Sequence, residues 1–263
     1  MSQIYIINAL FWYYMGRVES SWYLCGDRTT DAMRMAHIRW CLDHGCNTVL
    51  LNFENEELMS LFKPKKFMQE WDWDRCNLVM DYILKIRSAG LMVAIALYDG
   101  PSSPDGKYHP ILDCPDSVHV NFIRIICQIL SPYVDLWLLG CETNRYWSSD
   151  KVEQAIQIIK QASPLRLVGT HEQGVGKRNG KWVMTRRVPR DADFHGHELS
   201  NHPMDGDDRS VADMVAEVKF LVANSGGKPI WIVEHNLNQW GAKGKAQSRA
   251  MAKINGVYGV PGP

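Results

Sequence analysis

Two segments of this chain end an apolar run in a carboxylate. Residues 134–139 lead through Gly140 and Cys141 into Glu142, with Asn144, Arg145, Tyr146 and Trp147 close behind. Residues 230–233 lead directly into Glu234, His235 and Asn236. Short runs rich in β-branched and aromatic residues read as buried strands. A glutamate at the end of such a strand stands where the core meets solvent, and its proton affinity depends on its surroundings. Two carboxyl groups in unlike surroundings can divide labour, one kept protonated as an acid and the other ionised as a nucleophile or electrostatic partner. Arg145 and His197 are available to set such a difference.

The elements that must position these glutamates alternate along the chain. Residues 4–12, 47–53, 91–97, 134–139, 165–169, 192–197, 230–233 and 257–260 read as strands. Helical spacing of apolar residues covers 32–44, 73–89, 116–130, 151–161, 210–224 and 246–254. Thr29-Thr30-Asp31, Asp116 or Ser117, and Ser149 or Asp150 are available as N-caps, and Gly45, Gly90 and Gly226-Gly227 as stops. Strands alternating with helices imply a parallel sheet, and nearly eight such units in 263 residues favour a closed (β/α)8 (TIM) barrel of the α/β class. The reading is one domain over 1–263, with a reduced final βα unit because no helix is visible after Val260. Between strands five and six, Asn179-Gly180 marks a two-residue turn, so a β-hairpin is inserted there. Its run of lysines and arginines fits either a solvated flap or a lid over the cleft.

In such a barrel, chemistry belongs at the C-terminal ends of the strands. Glu142 and Glu234 then close the fourth and seventh strands, nearly across the barrel. Carboxyl groups ~5 Å apart are what retaining glycoside hydrolysis uses, one protonating the departing oxygen and the other attacking the anomeric carbon. The remaining polar and aromatic residues of that rim are candidate substrate contacts: Trp12, Asn52, Tyr98, Asn144, Trp147, His171, His195, His197, Asn236 and Trp240. Aromatic faces among them suit the C–H face of a pyranose.

With these residues in view, the chain resembles the clan A glycoside hydrolases, retaining (β/α)8 enzymes that include cellulases, β-mannanases and β-galactosidases. Leu42-Asp-His-Gly-Cys-Asn-Thr-Val49 and Ile86-Arg-Ser-Ala-Gly-Leu-Met-Val93 resemble the phrases that lead into strands two and three of such enzymes. His195-Gly-His197 resembles their His-x-Tyr after strand six. The resemblance implies Glu142 as acid/base and Glu234 as nucleophile, no cofactor, no metal and a carbohydrate substrate. The chain departs from that pattern at Cys141, where the clan usually has asparagine, and at His197, where tyrosine is commoner.

Two other functions stay open at this point. A metal-dependent barrel hydrolase could draw ligands from His171, His195, His197 and His235, although residues 4–12 contain no histidine to anchor such a site. A non-catalytic carbohydrate-binding barrel would fit Cys141. Zero formal net charge argues against capture of nucleic acid or of an anionic membrane, and no apolar run reaches the ~18 residues of a span. Gly174-Val-Gly176 lacks the third glycine and the helix of a dinucleotide site. Seven scattered cysteines with no Cys-x-x-Cys spacing fit reduced thiols. The N-terminus shows no basic n-region or cleavage site, so the expected location is cytoplasmic or reached by a non-classical route. Oligomeric state is left open by these residues.

Overall fold

The structure is a computed structural model that describes residues 4–8, 30–54, 60–98, 109–141, 143–173, 175–178, 181–184, 188–199, 210–234 and 242–261. For residues 4–8, 141, 144, 173, 176–178, 198, 234, 243 and 261 the description is of the backbone alone.

Eight parallel strands close into a barrel: β1 (Ile4–Asn8), β2 (Thr48–Asn52), β3 (Met92–Ala96), β4 (Leu136–Cys141), β5 (Leu167–Gln173), β8 (Phe194–Glu198), β9 (Ile230–Glu234) and β10 (Val257–Pro261). β1 pairs with both β2 and β10, which seals the ring. The connections carry α1 (Asp31–Asp43), α2 (Trp73–Ser88), the short α3 (Pro110–Asp113), α4 (Asp116–Leu130), α5 (Ser149–Ala162), α6 (Val211–Asn224) and α7 (Ala242–Ala252). No helix among the described residues is long and apolar enough to cross a membrane.

Local chemistry explains the helix ends. The Thr30 hydroxyl accepts the Met33 N–H at 3.3 Å, and Asp72 accepts that of Arg75 at 3.2 Å. Ser148, one residue ahead of the expected cap, accepts from Lys151 at 3.3 Å. Ser210 and Asp213 form a capping box. Each cap is worth about 0.5–2 kcal/mol. Gly45 and Gly90, at φ 68° and 81°, follow α1 and α2 in the left-handed region that glycine occupies without penalty.

Strand alternation sends side chains to two separate cores. On the outer face Val49, Leu51, Val93, Ile95, Trp137 and Leu139 pack under Ile83, Ile86, Phe122, Ile126, Ile156 and Ile159 of the helices. On the inner face Leu50, Ala94, Ala96, Leu136, Leu138, Phe194, Trp231 and Val233 form a cluster with no helical member. A third cluster joins Ile230, Ile232, Val257 and Val260 to Met214, Val218 and Leu221 of α6 and Met251 of α7. Full burial of each such side chain contributes about 1.5–3 kcal/mol. Cys41, Cys46, Cys76 and Cys127 carry free thiols. Burial pushes Cys46 up to about 12 and Cys76 to about 11, so both are protonated and unreactive at neutral pH.

The connection from β5 to β8 departs from the repeating unit. It contains the antiparallel pair β6 (Val175–Arg178) and β7 (Lys181–Met184), with Arg178 opposite Lys181 across Asn179-Gly180. No helix occurs in this connection among the described residues. Trp182 and Met184 instead pack, partly buried, against the cluster beneath α6. The inserted hairpin therefore leans on the outer side of the barrel, in the place of a helix, and these two side chains do not serve as a lid. β5 also runs to Gln173, four residues beyond the stretch predicted from apolar content, and α7 starts at Ala242, four residues before the predicted start.

Candidate active site

The inner face narrows to a filled floor. Phe194 and Trp231 stack there with ring centroids 3.9 Å apart and planes at 20°. The stack needs two glycines. A Cβ at Gly169 would lie 2.3 Å from the Phe194 ring, and one at Gly259 would lie 2.8 Å from Trp231. Any site on the barrel axis therefore sits above this stack, at the C-terminal ends of the strands.

Both strands that lead to the candidate glutamates carry an extra residue near that end. On β9, Ile232 pairs with His197, but the next pair is Glu234 with Glu198, so Val233 is the surplus residue. Ile230 and Ile232 face α6. Uninterrupted alternation would give position 234 that same outer face. The bulge instead brings it into register with position 198, which shares the face of Phe194 and Gly196, the inner one. On β4, Leu138 pairs with Gly169 and Cys141 with His171, three residues matched against two. Bulges of this kind re-aim a strand end and are frequent beside active sites. Glu142 follows at once and lies outside the described residues. Asn144 falls in the short 3-10 turn Thr143–Arg145 that leads to α5.

Among the other candidates, Asn52 and His171 come together with the strand ends. Asn52 is 1% exposed, shares the inner face with Leu50, and neither its Oδ1 nor its Nδ2 has a hydrogen-bond partner. A buried amide with both ends unsatisfied costs stability, about 1–3 kcal/mol per group, unless something else uses it. His171 alternates with Gly169 on the same face and is fully buried.

Tyr98 and Trp147 are placed elsewhere. Past the end of β3, Tyr98 turns outward against α4, where its ring meets His119, Phe122 and Trp147 at centroid distances of 5.2–5.5 Å. Its hydroxyl lies 2.9 Å from His119 Nδ1, while His119 Nε2 is 3.1 Å from the Cys114 carbonyl. A carbonyl only accepts, so Nε2 carries the proton and Tyr98 donates to Nδ1. Burial raises the Tyr98 hydroxyl well above its ordinary pKa and lowers His119 to about 4. Trp147 is 3% exposed, donates to the Ile111 carbonyl at 3.3 Å, and has Lys151 Nζ 4.2 Å from its ring centre. Both ring faces are covered by protein, so these two aromatics pack an outer cluster and offer no open face to a sugar.

The histidines of β8 are also placed away from the axis. His195 and His197 alternate with Phe194 and Gly196 and so occupy the outer face, beside Thr170 and Glu172 of β5. His195 Nδ1 lies 3.5 Å from Thr170 Oγ1, and the two imidazoles stack at 5.7 Å. Burial lowers His195 to about 4 and His197 to about 3, so both are neutral at physiological pH. From the opposite face, His197 does not set the protonation of a carboxyl in the mouth. Arg145 is exposed. Trp12, Asn236 and Trp240 lie outside the described residues, and Glu234 is placed by its backbone alone.

Two rim residues carried weaker signals. Glu54, at φ 50°, is spent on its own loop, where its carboxylate accepts from Ser60 Oγ at 2.8 Å and from the Leu61 N–H at 3.1 Å. Glu198 also ends a strand, since Phe194-His-Gly-His-Glu198 closes on a glutamate as Ile230-Trp-Ile-Val-Glu234 does.

No family model matches this chain, and no curated protein matches it. Its likeness is to solved structures. A GH113 β-1,4-mannanase superposes with a TM-score of 0.60 at 13% identity, over 99% of this chain and 88% of that one. A β-glucosidase from Exiguobacterium marinum gives 0.57 at 10% identity, over 98% and 87%. An exo-β-1,4-mannosidase from Opitutaceae bacterium strain TAV5 gives 0.63 at 13%, over 98% of this chain and 51% of that one. At such identities the likeness is one of fold, and the barrel expected from the clan A resemblance is the barrel these proteins share.

Proposed function

We propose that this chain is a retaining glycoside hydrolase that cleaves β-glycosidic bonds of a poly- or oligosaccharide, with Glu142 as acid/base and Glu234 as nucleophile. The observation that supports this most is the pair of bulges. β4 and β9 are separated by two strands in the ring, each has a surplus residue close to its glutamate, and the surplus on β9 moves position 234 to inner-face register. The folds of the mannanase, glucosidase and mannosidase support the same reading.

In the first step Glu142 protonates the departing glycosidic oxygen while Glu234 attacks the anomeric carbon, giving a glycosyl-enzyme ester. In the second, Glu142 removes a proton from water as it attacks that carbon, and Glu234 leaves. Asn52, whose amide has an unmet donor and an unmet acceptor on the inner face, is suited to hold a sugar hydroxyl. His171 is the nearer candidate among the histidines. The metal-dependent reading is weakened, because two of its proposed ligands, His195 and His197, stand on the opposite face of β8. The non-catalytic reading differs in outcome: glycan binding without product.

A panel of β-linked polysaccharides tests the proposal directly. Glu142→Gln and Glu234→Gln should each lower hydrolysis by at least ~10²-fold, the lower bound for losing a general acid, with circular dichroism unchanged. Azide should rescue glycosyl transfer from an activated substrate with opposite stereochemistry, a β-azide from the Glu142 variant and an α-azide from the Glu234 variant. Near wild-type turnover by either folded variant would overturn the assignment.

A further inference from the structure

The end of α1 brings two cysteines together. Gly45 donates its N–H to the Leu42 carbonyl at 3.0 Å, and Cys46 donates to the Cys41 carbonyl at 2.9 Å. With Gly45 left-handed at φ 68°, these two bonds make the Schellman closure of a helix. In that motif the residue leaving the turn packs against a side chain of the last helical turn, and the two are ordinarily apolar. Here they are Cys46 and Cys41. Cys41 is fully buried, Cys46 is 5% exposed, and both carry free thiols. Burial, and after it the neighbouring Cys46, raises the Cys41 thiol. The 2.9 Å bond and the covalent geometry on either side hold the two Cα atoms no more than about 6.8 Å apart. A disulfide spans Cα atoms about 4.4–6.8 Å apart.

We infer that Cys41 and Cys46 are a disulfide-forming pair, which closes across Gly45 when the chain folds in the presence of a small-molecule disulfide. One cysteine, as thiolate, attacks the small disulfide and releases half of it as a thiol. The second cysteine then displaces the other half. The two protein thiols lose two electrons and two protons in all, and the small disulfide takes them up as two small thiols.

The order of events follows from burial. In the folded protein Cys46 is pushed up to about 12, so little thiolate is present. His37, whose ring lies 3.7 Å from Cys41 Sγ, is lowered to about 3 and offers no positive charge to activate that thiol. Exchange therefore belongs to the stage at which the end of α1 is still open to solvent. Once formed, the bond lies behind the surface that buries the thiols, and soluble reductants are kept from it. It ties the end of α1 to the segment that enters β2, the strand with Asn52 at its far end.

Peptide mapping after refolding tests this. Both cysteines fall in one tryptic peptide, residues 40–63. Protein unfolded in urea with reductant is refolded with oxidised or with reduced glutathione, then denatured and alkylated. After oxidative refolding the peptide should carry no alkyl group and weigh two hydrogens less than the reduced peptide. After reductive refolding both cysteines should be alkylated. Alkylation of both after oxidative refolding, a glutathione adduct on either, or a bond from Cys46 to a different cysteine overturns the inference. Folded, reduced protein given the same oxidant for the same time should keep both thiols, and equal yield of the bond there overturns the proposed order. Thermal unfolding reads the consequence: the oxidised protein should melt above the reduced one, because the link constrains the unfolded chain. Cys46→Ala should melt at one temperature under both conditions, and a difference that persists in it overturns the assignment to this pair.

Discussion

Ile232 and Glu234 are two residues apart on β9, yet they occupy register positions on opposite faces of the barrel. Ile232 pairs with His197 on the outer face, and Glu234 pairs with Glu198 on the inner one. One strand thus meets two demands that strict alternation cannot meet together. Its body must give Ile230 and Ile232 to the core under α6, and its end must turn a polar residue toward the axis. A single surplus residue, Val233, resolves the conflict, and its own side chain still joins the inner core. The surplus on β4 just ahead of Glu142 answers a similar demand on the other side of the mouth.

Tyr98 tests whether the outer aromatic cluster is separate from the site. Tyr98→Phe removes the 2.9 Å hydrogen bond to His119 and strands a buried imidazole acceptor. The expected cost is about 1–3 kcal/mol of stability, with KM for the cleaved substrate unchanged. Chemical denaturation and steady-state kinetics on the same preparation check both halves, and a several-fold rise in KM with stability intact would return Tyr98 to the site.

How much of this was legible from residue order follows from where apolar content and strand structure coincide. They coincide on the outer faces and the deep inner face, so the eight strands and the antiparallel pair that faces Arg178 with Lys181 could be read. They part company at the mouth. β5 continues through Thr170, His171, Glu172 and Gln173, polar residues that look like a loop: positions 171 and 173 carry polarity to the axis near the open end, and Thr170 and Glu172 stand on the outer face opposite His195 and His197. The facing of His195 and His197 depends on the phase set by Phe194 and Gly196, and that phase shows only once Phe194 is seen stacked on Trp231. A bulge adds one residue and leaves composition unchanged, so the device that places Glu234 has no signature in the sequence.

Asn52 should show a trade between stability and function. Its amide is buried with both polar atoms unmet, so Asn52→Leu, of the same branched shape, removes two unsatisfied groups from the inner face. The free protein should gain about 1–3 kcal/mol and show a higher Tm, while kcat/KM falls at least ~10-fold because one bound hydroxyl loses its partner. A variant that is less stable than wild type, or equally active, would show that this amide does not serve a ligand.

His195 and His197 make stability depend on pH in a definite direction. Burial lowers their pKa values in the folded protein to about 4 and about 3, whereas in the unfolded chain each titrates near 6.5. Between those values the unfolded state binds more protons than the folded one, so stability rises with pH. The stabilisation is complete above about pH 6.5 and is lost as pH falls below it, by about 1.4 kcal/mol per histidine per pH unit. At pH 5, about 1.5 units below the unfolded value, each histidine accounts for a loss of about 2 kcal/mol. Both ring nitrogens of His197 lack a partner, so His197→Phe strands no hydrogen bond and removes one titrating group. Urea unfolding at about pH 5 and about pH 7.5 should therefore show a stability gap smaller by about 2 kcal/mol in the variant than in the wild type. Carboxylates that also titrate in this range are common to both proteins and cancel in the comparison. An equal gap in the two would mean that His197 is solvated or paired in solution, and that the outer face of β8 is more open than its 1% exposure indicates.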